Sequence, residues 1–190
     1  MNMQSLSRET LSVAQEVAVE LFPWEHEHQL ALSASLDPVG HDAFYRERGL
    51  ESVRCWTPVE AGRVGGLAML YAYRARREEL WLAWFGLRSM LRGCGAGNRT
   101  LEWLVAQARS EGREMMRLWT TDEAEYASAV SLYRRHGFVA ETVPALAGEN
   151  WRTWVFTLML NGKAVVPWSA VAGRGELCGR EAPSVLQLAA

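Results

Sequence analysis

The nine residues LRGCGAGNR, 91–99, set three glycines, two arginines and an asparagine between an apolar run, LWLAWFGL at 80–87, and a predicted helix. The first N–H groups of a helix have no intrahelical partner, and the helix dipole leaves partial positive charge on them. Gly93, Gly95 and Gly97 permit positive φ and let an oxygen come close to the backbone, while Arg92 and Arg99 add full charges. Together these are the requirements of an anion site at a helix N-terminus. Two common nucleotide motifs do not fit. A P-loop needs a lysine and then a hydroxyl after its last glycine, whereas Asn98 and Arg99 follow Gly97. A dinucleotide fingerprint counted from Gly93 reaches Gly95 and then Asn98 where a glycine is required.

What matches is arginine-x-x-glycine-x-glycine, filled by Arg92, Gly95 and Gly97, followed downstream by LYRRHGF at 132–138. In these two motifs the chain resembles the GCN5-related N-acetyltransferases. LRSMLRGCGAG, 87–97, stands where that family has V-x-P-x-x-R-G-x-G-x-G, and LYRRHGF where it has L-Y-x-x-x-G-F. The resemblance covers residues 63–139. It implies acetyl-CoA as co-substrate, with the pyrophosphate on the backbone N–H groups of Arg92, Gly93, Cys94, Gly95, Ala96 and Gly97, and Asn98 beside them. The pantetheine would pair like an extra strand with the edge at Phe85, Gly86 and Leu87, where one N–H would polarise the thioester carbonyl.

The same resemblance makes Tyr133 the general acid that protonates the departing CoA thiolate. A phenol near pKa ~10 donating to a thiol near ~8.5 is uphill by about 2 kcal/mol, so donation must be coupled to C–S cleavage or the phenol tuned downward. The bland alternative is a packed aromatic on an amphipathic helix. Two positions depart from the pattern. Ser89 replaces a frequent proline, and Tyr126 replaces the asparagine expected seven residues before Tyr133, which leaves Tyr126 as a cofactor neighbour.

The amine must also lose a proton. An alkylamine with pKa ~10 is neutral in about one molecule per thousand at pH 7, a deficit of ~4 kcal/mol. No base is evident on LWLAWFGL; Asp122 and Glu123 follow the strand before the Tyr133 helix, and Glu25 lies in FPWEHEHQ, 22–29. His26 and His28 in that segment suggest metal ligands, but i and i+2 on a helix diverge and no further cluster accompanies them. The segment is otherwise a solvated charged turn or a lining of the acceptor site. The second is supported by the FPW segment that ribosomal-protein N-terminal acetyltransferases carry after their first helix. Cys94 contributes its backbone to the cradle and lacks a placed histidine for thiol catalysis.

The elements that must position these residues follow from periodicity. Helices are expected over 7–21, within 23–38, over 41–48, 98–110 and 125–136; strands over 52–57, 64–73, 80–87, 115–120, 138–143 and 151–160. Residues 74–79 read as a polar connection, and residues 1–6 are too short and polar to show the opening strand that the resemblance implies. The first three strands should form an antiparallel meander, and 115–120 should run parallel to 80–87 across a right-handed crossover. The expected fold class is α/β (α+β), a mixed, mostly antiparallel sheet flanked by helices, with the central strands splayed. One domain spans 1–160; 161–190 is a tail, flexible or at a subunit interface, whose apolar runs at 165–171 and 185–188 make a homodimer an expectation.

Composition bounds the rest. A chain of 190 residues, 49% hydrophobic, suits one globular core. A net charge of −2 gives no field toward nucleic acid or an anionic membrane. Three cysteines without C-x-x-C spacing speak against a disulfide framework or a zinc site and for a cytoplasmic location. The expected activity is acetyl transfer to a primary amine of a small molecule in a ternary complex, without metal. The alternatives are protein N-terminal (alanine-type) acetylation and a non-catalytic acyl-CoA sensor of the same fold.

Overall fold

The computed structural model describes residues 1–143, 150–171 and 177. The chain opens with a strand after all, β1 (Asn2–Ser5), paired antiparallel with β2 from Asn2↔Val59 to Ser5↔Trp56. Its polar side chains hide it from a hydrophobicity pattern, because an edge strand is held by its ladder and not by buried apolar groups. The Met1 amino group adds an ion pair with Glu60, and Leu6 turns into the core.

Three helices follow, α1 (Leu11–Leu21), α2 (Glu27–Leu36) and α3 (Asp42–Glu47). The first starts later than its apolar spacing suggests, because Ser7 and Thr10 bond each other's side chain and backbone in a turn ahead of it. Then come β2 (Leu50–Glu60), the two-residue β3 (Arg63–Val64), β4 (Gly66–Tyr73) and β5 (Arg76–Leu87). The second half runs α4 (Ala96–Ser110), β6 (Met115–Thr121), α5 (Ala127–Arg135), β7 (Val139–Val143) and β8 (Thr153–Met159).

The sheet order is β1-β2-β4-β5-β6-β8-β7, with β3 also on β2. All pairs are antiparallel except β5–β6, the parallel pair that the α4 crossover requires. The sheet separates two cores. Helices α1–α3 close Val17, Leu32, Tyr71 and Trp81 over one face, and α4 and α5 close Leu80, Leu104, Leu132 and Phe156 over the other. From the tail, Trp168 is 8% exposed and joins the first core, while Val165 and Val166 are exposed. The run at 185–188 lies outside the described residues. No helix among the described residues is long and apolar enough to cross a membrane.

The central strands part company early. β5 and β6 share only the positions Glu79↔Met115, Leu80↔Met116 and Trp81↔Arg117. Past Trp81, β5 continues with β4 to Leu87 while β6 continues with β8 to Thr121. The β4–β5 register slips where Met69 faces Trp84 and Leu70 faces Leu82, so Ala83 is an extra residue in β5. Such a bulge bends its strand, here at the point where the two strands separate.

Of the segment expected as a polar connection, residues 74–75 form the turn while 76–79 begin β5, and Glu79 is 1% exposed. Its charge is matched across the shared rungs. Arg117, fully buried, donates from Nε to Glu79 Oε1 at 3.0 Å and from Nη1 to Thr157 Oγ1 at 2.6 Å. Trp81 Nε1 donates to Glu79 Oε2 at 3.0 Å. A polar pattern therefore marks a buried clamp at the base of the split. Removing one partner of a buried pair strands the other charge, a loss of about 3–5 kcal/mol. Arg76, 3.8 Å from Glu79, remains as a second cation and holds the loss toward the lower end. Arg117→Met should therefore lower the unfolding free energy by about 3 kcal/mol in urea denaturation. Adding Glu79→Gln to it should recover part of that loss; an unchanged urea midpoint in the single variant would refute the clamp.

Candidate active site

The cradle forms where the spacing places it. A short 3-10 turn, Ser89–Leu91, follows β5 and anchors the buried Leu91. Gly93 and Gly95 then take positive φ, 73° and 76°, a conformation that strains any residue with a Cβ. Gly95 is the N-cap of α4, so the helix begins at Ala96, two residues ahead of the expected start. The N–H groups from Gly93 to Asn98 have no backbone acceptor among the described residues. Arg92 Nε donates to Leu87 O at 2.7 Å and Arg99 Nη1 to Cys94 O at 3.0 Å, which folds both guanidiniums onto the loop. Cys94 Sγ donates to Leu91 O at 3.2 Å, and the Ala96 side chain is fully buried. Both therefore contribute backbone and loop shape, as expected of the turn.

A cavity of about 720 Å³ runs from this cradle along the opened edge of β5. Phe85, Gly86 and Leu87 line one wall, and Arg92, Gly93, Gly95, Gly97 and Asn98 line the cradle end. Helix α5 and the 3-10 turn ahead of it, Ala124–Tyr126, form the opposite wall through Glu125, Tyr126, Ser128, Ala129, Leu132 and Arg135, and the α1–α2 turn closes it with Leu21, Phe22 and Trp24. Gly86 is required here. A Cβ on it would come 2.9 Å from Phe22 Cζ and 3.0 Å from Leu21 Cδ1.

The cavity is electrically two-ended. Arg135 stands by the cradle, and His136 Nε2 lies 3.3 Å from Asn98 Oδ1, tying the end of α5 to the start of α4. Tyr126 stands at the other end of α5, about 14 Å away by helical rise. There, burial and the carboxylates of Glu125, Glu123 and Glu25 push the Tyr126 phenol far up and hold it protonated. Glu25 is itself pushed above the usual carboxylate range, first by burial and then by repulsion from Glu27. Trp24, 55% exposed, forms the lip beside them.

Of the acids named from the sequence, none is among the residues lining this cavity; Glu123 and Glu25 act on the Tyr126 phenol through their charge. Glu123, the stronger of the two, accepts from Thr121 Oγ1 at 2.7 Å. Asp122 is occupied: Oδ1 accepts from Arg152 N at 2.8 Å, and the residue lines a separate 370 Å³ pocket on the far side of α5 with Trp154. Tyr133 is 6% exposed and lies outside the cavity lining, with Phe156 at 5.7 Å and Phe138 at 5.9 Å between ring centroids. Burial pushes its phenol up, not down. His26 and His28 diverge as their spacing requires: His26 is exposed at the N-cap of α2, and His28 is buried against Phe22 and Trp84. Among the described residues no group of three or more His, Cys, Asp or Glu could hold a metal ion.

Arg135, Glu125, Ser128 and Leu21 were not singled out from the sequence. The signal was present for the first three, since 125, 128, 132 and 135 repeat at helical spacing, but only the cavity shows which stripe of α5 faces it.

Comparison with known proteins bears on the whole arrangement. A search among curated proteins returns no match. A Desulfovibrio desulfuricans protein assigned to the GNAT family of acetyltransferases superposes with a TM-score of 0.66 at 17% identity, over 84% of this chain and 98% of that one. The ribosomal-protein-S18-alanine N-acetyltransferase of Escherichia coli gives 0.62 at 14%, over 86% and 96%. A spermidine N-acetyltransferase chimera from Vibrio cholerae SpeG and hSSAT gives 0.61 at 16%, over 84% and 97%. These likenesses establish the fold. The sequence profile described as the acetyltransferase (GNAT) family matches residues 15–138, which contain the cradle, the split strands and LYRRHGF. The chain belongs to the GNAT family of acetyltransferases, whose members use acetyl-CoA as co-substrate.

Proposed function

We propose that the protein is an acetyl-CoA-dependent N-acetyltransferase for a small molecule carrying a primary amine, with transfer in a ternary complex. The observation that carries it is the two-ended cavity, cationic with unpartnered N–H groups at one end and acidic at the other. An anionic co-substrate and a cationic acceptor would be drawn to opposite ends of one channel. Unpaired Cys55 and Cys94 support a cytoplasmic setting.

The residues of the cradle fit a pyrophosphate: amides free to donate, two glycines at positive φ, and Arg92 and Arg135 beside them. When bound, acetyl-CoA supplies an activated acetyl thioester. The Phe85–Leu87 edge, unpaired on its β6 side, offers backbone groups to the extended arm and an N–H to a thioester oxygen. Glu25 is the base of the proposal. Its raised pKa makes it a better proton acceptor for an ammonium than an ordinary exposed glutamate. Glu125 and Glu123 draw the ammonium toward it. Tyr133 is the acid, on the α5 face that also carries Tyr126 and Ala129, seven and four residues earlier. Its burial keeps the proton available but makes release uphill by more than the ~2 kcal/mol of an ordinary phenol, so donation must accompany C–S cleavage.

Thiol release from acetyl-CoA over a panel of spermidine, other primary amines and alanyl peptides tests the assignment. Turnover on a small amine supports it. Turnover on peptides alone favours protein N-terminal acetylation, and CoA binding without turnover favours a sensor. Gly95→Ala places a Cβ in the left-handed region at about 1–2 kcal/mol, so the CoA dissociation constant should rise about tenfold by calorimetry. Tyr133→Phe should lower kcat about a hundredfold with CoA affinity unchanged. If kcat instead falls only in Tyr126→Phe, the phenol lining the cavity is the donor. Glu25→Gln should remove the acid limb of the kcat/KM profile, which lies above the ordinary glutamate range because the carboxyl is raised and must ionise to act. An unaltered profile would sink its role.

A further inference from the structure

His28 is a polar ring in an apolar place. It is fully buried, with the Trp84 ring 5.7 Å and the Phe22 ring 6.2 Å away between centroids. Both nitrogens have partners: Nε2 lies 3.1 Å from Phe22 O, and Nδ1 lies 3.1 Å from Gln29 Nε2. Gln29 Nε2 also lies 3.0 Å from the Gln15 carbonyl. That carbonyl can only accept, so it fixes the Gln29 amide with its nitrogen toward both neighbours. The amide then donates to Nδ1, which must be the unprotonated nitrogen. The proton therefore sits on Nε2 and is donated to the Phe22 carbonyl.

The same carbonyl accepts the Glu25 N–H at 3.1 Å. It is the pin of the turn between α1 and α2, a turn whose α2 N-cap has no side-chain hydrogen bond. Displacing it moves two things at once. One is the backbone of Glu25. The other is the Phe22 ring, wedged against Gly86 of β5 and 5.2 Å from Trp84.

We propose that His28 is a positioning residue for the acceptor end of the cavity: its Nε2–H, oriented through Gln29 by the Gln15 carbonyl, pins the Phe22 carbonyl and so sets Glu25 and Trp24 against Tyr126. This rests on the assignment of that end to the amine. A phenylalanine would keep an apolar ring in the space and leave the carbonyl with the Glu25 N–H but without its side-chain donor; a satisfied polar ring earns no packing advantage over it.

The pin has a definite pH sense. Burial pushes the imidazole below its ordinary range; the hydrogen bond to the Phe22 carbonyl opposes this by favouring the charged ring, and the charge of neighbouring His26 acts with burial. Glu25 and Glu27 are the other ionisable groups of the turn, while Phe22 and Trp84 cover the ring from α1 and β5. With the folded pKa depressed, the stabilisation is complete above the unfolded value of about 6.5 and is lost as pH falls through the folded one. Protonation puts an N–H on Nδ1 facing the Gln29 amide: Nε2 still carries its hydrogen, but two donors then oppose each other and the ring loses the contact that orients it.

The experiment compares the full-length wild type with His28→Phe, which keeps the ring, and His28→Gln, which returns an N–H near the position of Nε2. Deuterium exchange of the Glu25 amide reads the pin without any ligand, calorimetry with CoA reads the cradle, and KM for spermidine reads the acceptor end. His28→Phe should speed Glu25 exchange about tenfold and raise the spermidine KM severalfold, with CoA affinity within twofold. His28→Gln should restore both to within about twofold. In the wild type, intrinsic-rate-corrected exchange at Glu25 should be flat above pH ~6.5 and accelerate as pH falls below it, and in His28→Gln it should not. This arm decides the matter should His28→Phe fail to fold. Unchanged exchange in His28→Phe, or no rescue by His28→Gln, overturns the proposal. Lack of spermidine turnover in the wild type counts against the amine assignment alone, since the exchange arm still reports on the pin.

Discussion

Everything at this site depends on two parallel strands that stop pairing. A buried strand cannot leave its N–H and C=O groups unmatched without loss, so separation of β5 from β6 past Trp81 and Arg117 creates a demand for an extended partner. The bulge at Ala83 steers β5 away, and β4 and β8 keep the outer edges of the two strands satisfied. The Glu79–Arg117–Thr157 clamp sits on the last shared rung, where it limits how far the split can propagate. A cleft with unmatched backbone on its inner edge is thus held open by a buried ion pair and its hydrogen bonds at its base.

The cradle and the acidic end are consequences of where helices meet that cleft. α4 begins at the mouth of the split because β5 ends there, and its first amides face the cavity with Gly93 and Gly95 in the left-handed conformation. α5 crosses the same cavity lengthwise, with Arg135 near the cradle and Tyr126 at the far end. One helix therefore carries the polarity of the channel. The α1–α2 turn completes it, and Gly86 is the place where that turn touches β5 most closely.

Much of this was legible in the chain. The glycines and arginines of 91–99 announced an anion site because positive φ and unpaired helix amides are local properties, set within a few residues. The meander and the parallel crossover followed from strand spacing and handedness, and both are present. Three features were hidden. β1 carries no apolar alternation, since its ladder and not its side chains holds it. Glu79 read as part of a polar link, because a buried charge looks solvated until its partner, Arg117 on another strand, comes beside it. Tyr133 carries a motif that implies chemistry, yet the fold surrounds it with Phe138 and Phe156.

The sequence by itself determined the family, the glycine turn at the start of α4 and the order of the elements after β1, because each is encoded in residues close together along the chain. Only the tertiary structure decided which stripe of α5 lines the cavity, that the charge of Glu25 reaches Tyr126 while Asp122 is held by Arg152, and that His28 is buried against the Phe22 carbonyl. Those outcomes depend on distances between segments remote in sequence. Burial and neighbouring charge, which set how a carboxyl, a phenol or an imidazole holds its proton, exist only once those segments have come together.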